Sequence, residues 1–275
     1  MKDLSNIKIV FCDIDGTLVD TDKNISNHTI ESVTKLVDKG IKFILVSGRD
    51  YFHVMDRINT LNSSKILISS GGALIYDFGK DNVIYADRIK PENVEIIVNY
   101  CTKNGIGILL RALSGRYFNK FFKESDEKIN KYIAIHDNTN FDSIHVCQIL
   151  VMTTDKAKIA KAKEFVSKLN VEITNYSKSF FNNDNNKEYY FDVNNKNITK
   201  GHAITYLLEY LNIKKEDSLC FGDFVNDLDM FEACGVKVAM NNAHPTLKEK
   251  ADFITDSNNE DGVANFIDKY LCKEE

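Results

Sequence analysis

Short, solid apolar runs alternate with amphipathic stretches towards both ends of this chain. Ile9-Val10-Phe11, Ile44-Leu45-Val46, Ile66-Leu67-Ile68 and Leu219-Cys220-Phe221 each have the length of a strand, and unbroken runs of this kind suit strands buried on both faces. Between the first two, Ile30, Val33, Leu36 and Val37 recur at helical spacing, with Ser26 or Asn27 placed to cap the helix and Gly40 to end it. A second helical face, Ile204, Leu207, Leu208 and Leu211, opens at Thr199-Lys200-Gly201-His202. A further strand-like piece over 236–240 and a closing helix over about 260–271 complete the pattern. Strand and helix in regular alternation predict an α/β fold, a doubly wound, Rossmann-like parallel sheet.

The middle of the chain breaks that rhythm. After a helix expected near 51–59, the segments 73–76 and 82–85 read as a β-hairpin across Phe78-Gly79-Lys80-Asp81. From Pro91 the pattern predicts a helix over 92–103, strands over 106–112 and 116–118, and a helix or loop over 121–134. A strand over 144–152, a helix over 156–169 and strands over 171–176 and 188–193 follow. The asparagine-rich tract 182–187 reads as a solvated loop. The expected organisation is a core of residues 1–84 and 194–275, interrupted by an α+β insert over 85–193.

The chemistry-bearing residues fall where the apolar runs stop. Asp13 and Asp15 follow the first run, two positions apart, just before Gly16, and strand alternation would send both to one side. Two such acids repel unless a cation or a shared proton separates them, and Mg²⁺ takes carboxylate and phosphate oxygens. A calcium loop starting at Asp13 would need glycine at its sixth position and an acid at its twelfth. The chain offers Leu18 and Asn24 there. Ser47 and Gly48 end the second run, where an amide and a hydroxyl can meet an anion. Asp223 ends the Cys220 run, with Asn226 and Asp227 one turn on. In a doubly wound sheet the carboxyl ends of the strands form one ligand edge, so these groups and Lys200 would meet there.

Composition narrows the partners. At 275 residues the length suits two domains. A net charge of −5 gives no electrostatic footprint for nucleic acid or an anionic membrane. The residues before Asp13 carry no apolar stretch long enough for a signal peptide or a membrane span, so a cytoplasmic protein is expected. Six cysteines without a C-x-x-C pair read as reduced core thiols rather than a disulfide framework or zinc site.

In motif order, Asp13-Ile14-Asp15-Gly16-Thr17, Ser47-Gly48-Arg49, Ile198-Thr199-Lys200-Gly201 and Gly222-Asp223-Phe224-Val225-Asn226-Asp227 resemble the haloacid dehalogenase (HAD) superfamily of phosphatases, and in particular its Cof-type branch with an α+β cap. The stretches 239–243 and 260–264 are similar to that branch as well, while Gly71-Gly72-Ala73 stands where it usually shows Asn-Gly-Ala. The resemblance implies a phosphatase for small phosphorylated metabolites, sugar or cofactor phosphates, acting as a monomer or weak homodimer. It implies Asp13 as nucleophile and Asp15 as acid and base. It assigns the phosphate to Ser47, Lys200, Asn226 and the amides of Ile14 and Gly48. Mg²⁺ would be held by Asp13, the Asp15 backbone carbonyl and Asp223, with Asp227 orienting a metal-bound water. Arg111, Arg116, Tyr117 and His145 are candidate specificity residues in the insert. A phosphomutase using the same aspartates, and a non-catalytic binding protein on the same scaffold, are the competing expectations.

Overall fold

The computed structural model describes residues 2–52, 54, 60–123, 132–181 and 187–273, with the backbone alone over 175–181 and at 187. The chain divides into two compact units, Met1–Tyr85 with Thr199–Glu275, and Ala86–Ile198. The return to the first unit falls at Thr199, five residues beyond the expected boundary at 194, because the last strand of the insert stays paired as far as Asn195.

The first unit is built on an eight-stranded sheet. Its strands are β1 (Ile9–Asp13), β2 (Lys42–Val46), β3 (Ile66–Ser69), β4 (Leu74–Asp77), β5 (Asn82–Ala86), β12 (Ser218–Gly222), β13 (Val236–Ala239) and β14 (Phe253–Ile254), in the order β14-β13-β12-β1-β2-β3-β4-β5. From β14 to β3 every neighbour pair is parallel, and β4 then runs antiparallel to β3. β1 to β3 build the sheet outward in one direction and β12 to β14 in the other. The strand order therefore reverses between β1 and β12, the place where such sheets open a crevice at their carboxyl ends. All five residues of β1 and all five of β12 are buried, as their unbroken apolar runs require.

Helix α1 (Asn27–Asp38) is capped by Ser26, whose side chain accepts the Thr29 amide, and buries Val33 and Leu36. Two helices crossing the insert are α2 (Pro91–Lys103) and α3 (Lys156–Val166). In the first unit, α4 (Lys200–Tyr210) is capped by Thr199, whose side chain accepts the His202 amide. Three short helices follow, α5 (Leu228–Ala233), α6 (Pro245–Glu249) and α7 (Gly262–Phe266). The closing helix differs from its expected span. Asp261 is left-handed at φ +55, so regular helix starts only at Gly262 and then widens into a π turn over Ile267–Leu271. Phe11, Phe43, Phe221, Phe231 and Phe266 are fully buried in this unit's core.

The second unit is a six-stranded sheet, β6 (Gly107–Ala112), β7 (Gly115–Phe118), β8 (Ile133–Ala134), β9 (Val146–Thr153), β10 (Val171–Phe181) and β11 (Lys187–Asn195), in the order β10-β11-β9-β6-β7-β8. Its pairs are antiparallel except β7 with β8. Ile108, Leu110, Ile149, Val151 and Val193 share one core with Val94, Ile97 and Val98 of α2 and Ala162 and Val166 of α3. Tyr100 stacks on Phe165 at 3.9 Å. The end of the expected 51–59 helix, most of the 121–134 segment and positions 182–186 of the asparagine-rich tract lie outside the described residues, while Lys187, expected in that loop, already belongs to β11. All six cysteines are buried. No helix among the described residues is long and apolar enough to cross a membrane.

Candidate active site

The switch point decides where the acids meet. Asp13 is the last residue of β1 and Asp223 directly follows β12, the strand hydrogen-bonded beside it. Asp227 ends the short turn after Asp223, and the three offer carboxylate oxygens within 4.8 Å of one another. Lys200, the first residue of α4, enters from a third element. Its Nζ donates to Asp13 Oδ1 at 2.5 Å and to Asp227 Oδ1 at 2.7 Å. Asp227 Oδ2 accepts the amides of Asp223 at 3.1 Å and Phe224 at 3.2 Å, so both its oxygens are committed. Asp223 Oδ1 accepts from the buried Thr17 hydroxyl at 3.1 Å. Asp13 Oδ2 has no hydrogen-bond partner among the described residues.

Two glycine positions allow this packing. Gly16 is left-handed at φ +84, and a Cβ there would lie 2.4 Å from Asp223 Oδ2. The acid can approach the turn after β1 only because that residue has no side chain. Gly72, at φ +103, lies where a Cβ would come within 2.1 Å of the Thr199 carbonyl, so the Gly71-Gly72 turn packs directly against the start of the Lys200 helix.

Three carboxylates against one ammonium leave the cluster short of positive charge. Burial pushes the Asp13 carboxyl well above the usual range, and the charges of Asp227 and Asp223 add to it, while Lys200 opposes the shift. Burial also lifts Asp223 to about 7, with Asp227 contributing. Burial works against the Lys200 charge, but Asp13 and Asp227 more than compensate and hold its pKa above the ordinary lysine value. An all-oxygen donor set with excess negative charge fits a hard divalent cation such as Mg²⁺.

Asp15 stands apart. The strand has ended before it, it makes an isolated bridge to Val19, and among the described residues its carboxylate is not one of the three that converge. Arg49 grips it through two donors, Nε to Oδ2 at 2.6 Å and Nη2 to Oδ1 at 2.9 Å, and Lys23 Nζ reaches Oδ1 at 3.1 Å. Burial raises the Asp15 pKa, but these two cations outweigh it and hold the carboxyl below the usual range. Strand alternation does not extend as far as the second acid. A turn follows Asp13, and the two side chains have different partners.

Ile14 is buried, and its carbonyl accepts the amides of Leu18 and Val19, closing the turn. Ser47 is buried at the end of β2, its hydroxyl accepting the Arg49 amide at 3.0 Å, and Gly48 follows half-buried. Asn226 lies half-buried in the turn Val225–Asp227. In the second unit, Arg111 pairs with Asp192 at 3.2 Å and with Gln148, and Arg116 donates to the Tyr132 hydroxyl at 2.9 Å. Tyr117 meets Ser114 at 3.0 Å, and His145 meets the Asp87 carbonyl at 3.2 Å. Each of the four has a partner within its own unit.

Several supporting contacts join residues far apart in the sequence. Asn242 donates to the Gly16 carbonyl at 2.8 Å and accepts the Asn258 amide at 3.0 Å, and Asn258 donates to the Val19 carbonyl at 2.8 Å. Asp229 accepts the Gly201 amide at 3.0 Å, anchoring the Lys200 helix. Gly16 and Asn242 stand out in the sequence, but they lie more than two hundred residues apart.

Comparison with known proteins places the chain in a family. A family model described as haloacid dehalogenase-like hydrolase matches residues 10–267. A protein of Haemophilus influenzae named putative phosphatase is 27% identical over 263 residues, covering 95% of this chain and 97% of its own. A Bacillus subtilis protein named 5-amino-6-(5-phospho-D-ribitylamino)uracil phosphatase is 26% identical, covering 95% of each. The crystal structure of a haloacid dehalogenase-like hydrolase from Bacteroides thetaiotaomicron superposes with a TM-score of 0.80 at 26% identity, over 96% of this chain and 99% of the other.

Proposed function

The chain belongs to the haloacid dehalogenase-like hydrolases, and from that premise we propose that it is a Mg²⁺-dependent phosphatase of small phosphorylated metabolites, sugar or cofactor phosphates, working through an aspartyl-phosphate on Asp13. The observation that carries this reading is the meeting of Asp13, Asp223, Asp227 and Lys200 at the β1/β12 switch point. Relatives named as phosphatases support the same class.

Each side chain then has a task. Lys200 fixes one oxygen of Asp13, and Oδ2, uncommitted among the described residues, attacks phosphorus. The bond to the leaving oxygen breaks as that oxygen takes a proton from Asp15. Asp15, again a carboxylate, removes a proton from the water that attacks phosphorus and releases inorganic phosphate, restoring Asp13. Its pairing with Arg49 and Lys23 favours the carboxylate form that this second step uses and opposes the protonated form that the first step needs, so Asp15 has to leave that pairing to act as the acid. Asp13, the Asp15 backbone carbonyl and Asp223 would hold Mg²⁺, with Asp227 acting through a bound water because its own oxygens serve Lys200 and two amides. When bound, the cation screens the approach of anionic phosphate to Asp13 and stabilises charge on the phosphoryl oxygens. Ser47, Asn226, Lys200 and the amides of Ile14 and Gly48 would take the remaining phosphate oxygens. Residues 85–193 would act as the cap that selects the leaving group.

The test is phosphate release from a panel of sugar and cofactor phosphates, with Mg²⁺ and with chelator, alongside Asp13→Asn. Release that needs Mg²⁺ and disappears in the variant is the expected outcome. Phosphoryl transfer back to a sugar without net release would replace phosphatase by phosphomutase. Binding of phosphate analogues without turnover of any ester would leave a binding protein.

A further inference from the structure

Asp15 has more positive charge around it than a lone carboxylate needs. Arg49 already satisfies both carboxylate oxygens with its fork, at 2.6 and 2.9 Å, yet Lys23 is also brought to Oδ1 at 3.1 Å. Both cations are placed by the backbone. Lys23 adopts a left-handed φ of +68 in a turn closed by its amide on the Asp20 carbonyl, a conformation with an energetic cost for a residue carrying a side chain. Arg49 is fixed by its amide on the Ser47 hydroxyl. Neither cation has a second carboxylate partner among the described residues. The side chains of Lys23, Arg49 and Asp15 remain 48%, 36% and 32% exposed, so the surplus charge is open to a ligand. A guanidinium has five N–H donors and an ammonium three. Asp15 occupies only some of them.

We propose that Arg49 and Lys23 form an anion-recognition site for the leaving group, so that the favoured substrate is a phosphate monoester whose leaving group carries a second anion, a phosphate or a carboxylate. This rests on the phosphatase reading above, which puts Asp15 at the leaving oxygen. The transferring phosphate has its own positive partners in Lys200 and the cation suited to the Asp13 cluster, so these two side chains are not needed for it. Asp15 is the only carboxylate partner of either among the described residues, and one ion pair would hold it in place. An arriving anion would draw the cations towards itself and free the Asp15 carboxyl to turn to the leaving oxygen. A neutral sugar offers no such exchange.

Matched esters test this. With Mg²⁺ present, phosphate release is followed for fructose 1,6-bisphosphate against fructose 6-phosphate, and for 6-phosphogluconate against glucitol 6-phosphate, in the native protein and in Arg49→Gln and Lys23→Gln. The expected result is a preference in kcat/KM of about tenfold or more for at least one doubly anionic ester, the size of one hydrogen bond between charged groups. The pair that shows it tells phosphate from carboxylate. Each variant should bring that ratio towards unity, and because the ratio is taken within a variant, a general loss through Asp15 cancels. Equal or better turnover of the neutral partners overturns the inference alone, as does a preference that both variants retain in full. Absence of release from every ester overturns the phosphatase reading and this inference with it.

Discussion

Lys200→Met removes the ammonium and keeps an unbranched apolar stem. In the folded chain Nζ lies 2.5 Å from Asp13 and 2.7 Å from Asp227, and the three side chains are 4%, 9% and 1% exposed. Removing one partner of a buried ion pair leaves the other charge uncompensated, at a cost of about 3–5 kcal/mol. For a unit of this size that corresponds to a fall of about 6–20 °C in the unfolding midpoint. The lysine keeps its charge across the neutral range, because Asp13 and Asp227 raise its pKa against the effect of burial. Its stabilising contribution is therefore present below the unfolded lysine value and does not change between pH 5 and 8. The carboxylates behave differently. Without Lys200 the raised pKa values of Asp13 and Asp223 lose a lowering partner, so ionisation of these two destabilises the fold as pH rises and is relieved as pH falls. The deficit of the variant should be largest near pH 8 in chelator, smaller near pH 5, and partly recovered by Mg²⁺. Turnover with Mg²⁺ should fall by at least about 10²–10³, the effect of losing one preorganised donor. Because the chain has no tryptophan, thermal unfolding is best followed by circular dichroism. A midpoint equal to wild type at pH 8 in chelator would refute the charge argument.

Three further perturbations follow from the same geometry. Gly16→Ala places a Cβ 2.4 Å from Asp223 Oδ2 at a φ of +84, so it should weaken Mg²⁺ binding and activity together, measurable by calorimetric titration; unchanged affinity would contradict the close approach. Thr17→Val removes the hydroxyl that orients Asp223, and a loss of about 10–100-fold in metal affinity is expected from such outer-shell changes, with little change in fold by circular dichroism. Asp223, lifted to about 7 by burial and then by Asp227, is protonated in the folded metal-free protein below that value and ionised in the unfolded chain above about 4. Its contribution to stability in chelator therefore falls as pH rises from about 4 through 7, and the gain in unfolding midpoint on adding Mg²⁺ should grow over the same window; a gain that shrinks with rising pH would contradict the sign.

What the sequence reveals is local. The solid runs ending at Asp13 and Asp223 specify buried strands, and the alternation with Ser26-capped and Thr199-capped helices specifies a parallel sheet. Once strand order is known, the convergence of Asp13, Asp223 and Lys200 follows from two strand ends and a helix start at one sheet edge. The grip of Arg49 and Lys23 on Asp15 does not follow, because it depends on the turn after Asp13 and on two side chains brought from elsewhere in the fold. Alternation is a property of strands, and the strand stops at Asp13. The helices Leu228–Ala233 and Pro245–Glu249 and the two-residue strand Phe253–Ile254 are too short to display a period. The left-handed Asp261 that delays the last helix has no pattern in the hydrophobic positions either. Asparagines 242 and 258 act through backbone carbonyls of the Gly16–Val19 turn, contacts that depend on tertiary placement and leave no mark in residue spacing.

The central claim is that Asp13 carries the phosphoryl group, and the most direct measurement is chemical trapping of that intermediate. Enzyme turning over a good substrate with Mg²⁺ is quenched, reduced with borohydride, which converts an aspartyl-phosphate to homoserine, and mapped by peptide mass spectrometry. Homoserine at residue 13, dependent on substrate and absent in Asp13→Asn, is the expected result. Steady turnover with no modification at residue 13, or with the label at another carboxylate, would contradict it.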